Sequence, residues 1–106
     1  MRPTPFALMF AAALLTACAP ATLTADDARA AMKARMERPG AREVKVLQIH
    51  EFALTDCADA VGQDGVACRV QMDVGFTVDG AEQRDNATQR MRFVREAGRW
   101  VAYPAD

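Results

Sequence analysis

From Cys68 to Val78 apolar and polar residues alternate without a break. Cys68, Val70, Met72, Val74, Phe76 and Val78 share one face, and Arg69, Gln71, Asp73, Gly75, Thr77 and Asp79 share the other. A strict period of two over eleven residues predicts an antiparallel strand with one buried face. Asp79-Gly80 follows as a two-residue hairpin turn. The next strand is expected over about Glu82 to Arg95, polar at first and apolar by Met91, Phe93 and Val94. Glu96-Ala97-Gly98 turns the chain into a short last strand, Arg99 to Tyr103, which Pro104 ends. Upstream, Val44 to Leu54 reads as a first strand, but its parity changes between Val46 and Leu47 and again near Phe52. An extra residue in a strand has that effect, so bulges or strong curvature are expected there.

Ahead of the strands the period changes to that of a helix. Thr24 is placed to cap it, with Asp27 three residues on and Leu23 before it as a staple. Asp26 and Asp27 favour the positive end of the dipole. Ala28, Ala31, Met32 and Met36 form one apolar stripe, with Arg29, Lys33 and Glu37 turned outward. Pro39-Gly40 ends the element. The small alanines suit close packing on a sheet. The order predicts an α+β fold: one N-terminal helix packed on a curved four-stranded antiparallel sheet. Met32, Met36, Phe76, Phe93 and Trp100 are expected to fill the space between the two layers.

The run before the helix has a different pattern. Met1 to Ala17 holds one charge, Arg2, and its apolar stretch from Phe6 to Leu15 ends near a cysteine. A positive start, about ten apolar residues and small residues before a cut are the parts of an export signal. Ten is too few to span a bilayer core as a helix, which takes about 20. Leu15-Thr16-Ala17-Cys18 resembles the lipobox of bacterial lipoproteins. That resemblance implies that the leader, residues 1–17, is cleaved. It also implies that the Cys18 thiol takes a diacylglyceryl group and that the new amine is acylated. Each buried CH₂ adds about 0.8 kcal/mol, so two or three chains anchor firmly where one does not. Residues 18–23 then form a short tether and 24–106 a single domain. Ala19 stands where an Asp would resemble an inner-membrane retention signal, which favours the outer membrane with the domain facing the periplasm.

The charge balance adds to this picture. The 106 residues carry 13 basic and 14 acidic side chains. That offers no basic face for nucleic acid and no polybasic patch for anionic lipid. Attachment to a membrane would rest on the lipid. The 89 residues left after the leader make one small domain.

With Cys18 assigned to lipid, Cys57 and Cys68 are the two cysteines left in an exported, oxidising setting, and an even remainder reads as a disulfide. It would close the ten-residue stretch ADAVGQDGVA as an exposed loop, stabilising the fold by about 3 kcal/mol on the chain-entropy account. A zinc site would need further ligands, and His50 is the single histidine. A redox pair would have its cysteines two residues apart. Asp56, Asp59, Asp64 and Asp73 lack the alternating spacing of a Ca²⁺ loop, so neither a metal nor a cofactor is expected.

A catalytic set is not apparent. His50 has no free cysteine to activate, and the chain has no serine. Asp73 with Glu82 or Asp85 would make a carboxylate pair across a hairpin, but pairing with Arg84, Arg90 or Arg92 is the expected outcome. Gln71, Asp73, Thr77, Arg84, Arg90 and Arg92 would together form a mixed-charge sheet face, the place to look for a partner.

The helix-then-four-strands order resembles the cystatin-like architecture, which includes the larger NTF2-like folds. The apolar strand, Gly turn and Arg-Trp-Val-Ala-Tyr ending is also similar to the end of small NTF2-like bacterial lipoproteins. Cystatins carry a QxVxG hairpin loop. The nearest string here, Gln71-Met72-Asp73-Val74-Gly75, is mid-strand with the wrong spacing, so protease inhibition is not carried over. The expected function is a non-enzymatic envelope lipoprotein that contacts a protein partner or has a structural, accessory role in the periplasm. The alternatives are an NTF2-like small-molecule-binding or enzymatic domain, and an inhibitor of a periplasmic hydrolase that uses the bridged loop.

Overall fold

The computed structural model describes residues 22–105. Cys18, the leader and most of the tether lie outside them. The described chain forms one helix, α1 (Ala25–Met36), and four strands, β1 (Val44–Asp59), β2 (Val66–Val78), β3 (Ala81–Glu96) and β4 (Arg99–Pro104). The strands pair antiparallel in sequence order as one open sheet, and α1 packs on one face of it.

The helix starts where the capping pattern placed it. The Thr24 hydroxyl accepts the Asp27 N–H at 3.1 Å, and the Asp27 carboxylate accepts the Thr24 N–H at 3.3 Å, so two orphan donors of the first turn are satisfied. Ala28, Ala31 and Met32 are buried, and Leu23 and Met36 pack at the margin of the core. Glu37, expected to turn outward, instead caps the C-terminus and accepts the Val46 N–H at 2.8 Å.

Directly opposed residues of an antiparallel sheet share a face, so the register sorts the side chains. Cys68, Val70, Met72 and Val74 of β2, with Met91 and Phe93 of β3 and Ala102 of β4, are buried beneath α1. Met32 and Phe93 fill the space as expected, while Met36, Phe76 and Trp100 are only partly buried. Val94 falls on the opposite face, against Gly65, where a Cβ would sit 2.5 Å from the Phe93 carbonyl oxygen.

β1 is longer than its apolar pattern. Its register against β2 shifts at Leu47, at His50 and again at Asp56-Cys57. The first two shifts fall at and just before the parity changes in the sequence. The third has no apolar signature. Strand pairing continues through Cys57 to Asp59 because the backbone ladder does not require apolar side chains. The bridged stretch is therefore strand at both ends, 58–59 and 66–67, and its six middle residues, 60–65, turn. In contrast, β2 and β3 pair through thirteen consecutive residue pairs with no shift. Their Asp79-Gly80 turn has positive φ at both residues, 50° and 87°, the backbone that a two-residue hairpin favours.

Candidate functional site

The bulge at Asp56-Cys57 sets two β1 residues against Cys68 alone, between the pairs Thr55↔Arg69 and Ala58↔Ala67. Asp56 takes φ 53° to make this detour. The detour turns the side chain of Cys57 toward the core side of β2, where Cys68 is fully buried. The two sulfurs are bonded and the Cα atoms are 4.1 Å apart. The bond closes the end of the β1–β2 hairpin, and Arg92 holds the turn from the other strand by donating to the Asp64 carbonyl at 2.8 Å.

Gln71, Asp73 and Thr77 of β2 and Arg84, Arg90 and Arg92 of β3 lie on the sheet face away from α1, at register positions Gln71↔Thr88, Asp73↔Asn86, Thr77↔Glu82, Gly75↔Arg84, Arg69↔Arg90 and Ala67↔Arg92. The six do not act alike. Arg84 grips Asp73 diagonally with two hydrogen bonds, Nε to Oδ1 at 2.9 Å and Nη2 to Oδ2 at 3.0 Å. Only 15% of the Asp73 side chain is exposed, against 62% for Arg84. The Arg84 hydrogen bonds, and secondarily its charge with that of His50, hold the Asp73 carboxyl below its ordinary value. Arg92 is committed to the β1–β2 turn and to the Tyr103 ring, 5.1 Å from its guanidinium. Arg90 is exposed opposite Arg69, and Arg69 turns to Asp56 at 3.8 Å. Asp85 lies on the helix side, opposite Val74, so it shares no face with Asp73 and forms no carboxylate pair with it.

His50 sits on a bulge, with Nε2 near the position a Cβ of Gly75 would occupy, at 3.4 Å. It lines an open depression with Leu47, Gln48, Glu82 and Arg84. Among the described residues no three His, Cys, Asp or Glu side chains are grouped to hold a metal ion. No described helix is long and apolar enough to cross a membrane.

Two features gave no sequence signal. The first is an ion-assisted hydrogen bond from the Tyr103 hydroxyl to Glu96 at 2.7 Å. It favours the protonated phenol and raises the Tyr103 pKa above its usual value. The second is a cleft of about 700 Å³ at the end of the domain where the chain enters. Thr22, Leu23, Val66, Val94 and Trp100 line it, together with Asp59 and Asp64 of the bridged hairpin. Among the described residues the buried Trp100 indole N–H has no hydrogen-bond acceptor. Compared with family models, curated proteins and solved structures, the chain matches none of them.

Proposed function

We propose that this chain is a bacterial envelope lipoprotein, anchored by lipid on Cys18 in the outer membrane and facing the periplasm. Its small domain, of cystatin-like type, serves protein contact rather than catalysis. The observation that carries the reading is the run Leu15-Thr16-Ala17-Cys18 directly ahead of a domain whose first helix is capped at Thr24. Six peptide steps reach about 21 Å at most, so an anchored Cys18 keeps the helix N-terminus and the neighbouring Asp59–Gly65 turn near the bilayer. β2 runs away from that end for thirteen residues, or roughly 43 Å. This places the Asp73–Arg84 pair and the Asp79-Gly80 turn well away from the tether, where a soluble partner can reach them. The near-neutral charge leaves the anchoring to the acyl chains. Replacing Cys18→Ser tests the reading. Loss of palmitate labelling and of membrane fractionation is expected; retention of both contradicts it.

A second reading, ligand binding, is favoured by the cleft beside Trp100, whose apolar walls and indole N–H, unpaired among the described residues, would suit an amphipathic small molecule. Trp100 is the single tryptophan, so quenching of its fluorescence by anilinonaphthalene sulfonate at micromolar concentration supports this reading. Unchanged emission rejects it.

A further inference from the structure

We infer that the outer edge of β3 is a self-association site, at which a second copy of this chain adds its own β3 antiparallel, with Asn86 on the two-fold axis. The two edges of the sheet are treated differently. β1 is interrupted by three bulges, and the Val46 N–H on its edge is taken by Glu37; both devices discourage strand addition. β3 has neither. β4 covers it only from Met91 to Glu96, and Ala105 adds one bond to the Arg90 carbonyl. Among the described residues, Ala81 to Gln89 has no neighbour on that side. The segment keeps an unbroken register with β2, so it is straight enough to template another strand.

The direction of its free groups follows from the Arg90 carbonyl, which points outward to Ala105. Backbone groups alternate along a strand, so Glu82, Arg84, Asn86 and Thr88 each present N–H and C=O to the open edge. Charge then selects the partner strand. Centring a self-pair on Asp85 sets Asp85 against its own copy. Centring on Arg84 sets Arg84 against Arg84, and centring on Ala87 sets Arg84 against Arg90. Like charges directly opposite are destabilising. Centring on Asn86 opposes Arg84 with Thr88, Asp85 with Ala87 and Gln83 with Gln89, with no like pair. It also brings Glu82 beside Arg90 of the other copy. In that register Arg84, Asn86 and Thr88 form the hydrogen-bonded pairs that their outward groups require. The charges that block the Arg84, Asp85 and Ala87 registers admit this one, and a pair centred on Gln83, also without like charges, would span only Ala81 to Asp85. Antiparallel addition sets the two Thr24 caps at opposite ends of the joined sheet. Under the lipid-anchor reading the joined sheet would lie along the bilayer, where confinement raises the effective concentration.

The experiment uses the full chain expressed in a bacterial host and treated with a mild oxidant, with dimer read on non-reducing gels. Asn86→Cys, exposed and on the axis, should give a disulfide dimer, and Lys45→Cys on the β1 edge should not. A monomer whose introduced thiol stays open to alkylation overturns the proposal, as does equal dimer from both variants. Thr88 supplies the second arm in the Asn86→Cys background. Thr88→Arg, facing Arg84 of the other copy, should lower the dimer yield and Thr88→Glu should raise it. A change of the same sign in both overturns the register. Each variant is also made in the Cys18→Ser background, where the introduced thiol is the one left free to cross-link, so failure here is distinct from failure of the anchor.

Discussion

The carboxylate of Glu37 accepts the backbone N–H of Val46 at 2.8 Å, nine residues on and in a different element. The residue that ends α1 thereby also closes part of the β1 edge and ties helix to sheet at the end away from the Thr24 cap. A hydrogen bond to a charged group in a half-buried site contributes about 1.5–3 kcal/mol. Glu37→Ala is expected to cost about 1–2 kcal/mol in chemical denaturation. Glu37→Gln should recover part of that, since the amide oxygen also accepts. Equal stability of Glu37→Ala and the parent would show that the bond does not hold the edge.

Cys57 and Cys68 close the end of the β1–β2 hairpin, and Cys68 lies at zero exposure. Mass analysis of the oxidised protein should show no free thiol at either position. Cys57→Ala, which leaves the buried Cys68 in place, should cost about 3 kcal/mol, the loop-closure value for a short ring. Two thiols that titrate in the unreduced protein would contradict the bond.

The Asp73–Arg84 pair gives a pH dependence of definite sign. Asp73 binds its proton less readily folded than unfolded. Its contribution is therefore present above the ordinary carboxylate value near 3.8 and fades as pH falls through the lower folded value. Asp73→Asn should flatten that part of the acid limb in denaturation followed from pH 6 downward. Tyr103 behaves in the opposite sense. Its raised value leaves the bond to Glu96 intact below pH 10 and removes it as pH climbs past the folded value. Tyr103→Phe should remove this alkaline loss and leave the acid limb unchanged.

Ala97 holds φ 51° beside Gly98 at 83° in the β3–β4 turn. An alanine there forgoes about 1 kcal/mol to the left-handed region. Ala97 is exposed, so Ala97→Asn should stabilise by about 0.5–1 kcal/mol, measured as a raised denaturation midpoint. A fall in stability would mean that the turn takes another form in solution.

Local periodicity made the strands legible. Cys68 to Val78 showed its two faces because one of them is buried along its length, and the parity breaks near Leu47 and Phe52 announced two of the three bulges. The third, at Asp56-Cys57, falls among polar residues and carries no parity to break. The same absence hid the extension of β1 to Asp59. The Glu37–Val46 bond was illegible for a different reason: its acceptor is a side chain that any helix end carries, and its donor is a backbone group. At the candidate face, alternation placed all six residues on one side. It did not show that Arg84 would neutralise Asp73 while Arg92 turned to the Asp64 carbonyl and Tyr103, because diagonal reach depends on sheet twist.

Everything proposed for the place of this domain in the cell depends on lipid at Cys18, and the N-terminal peptide of the membrane-purified protein carries the answer. Mass spectrometry should find a peptide that begins at Cys18 and bears a diacylglyceryl group, with or without a further acyl chain. A peptide that begins at Met1, or an unmodified Cys18 inside a longer peptide, would contradict the anchor.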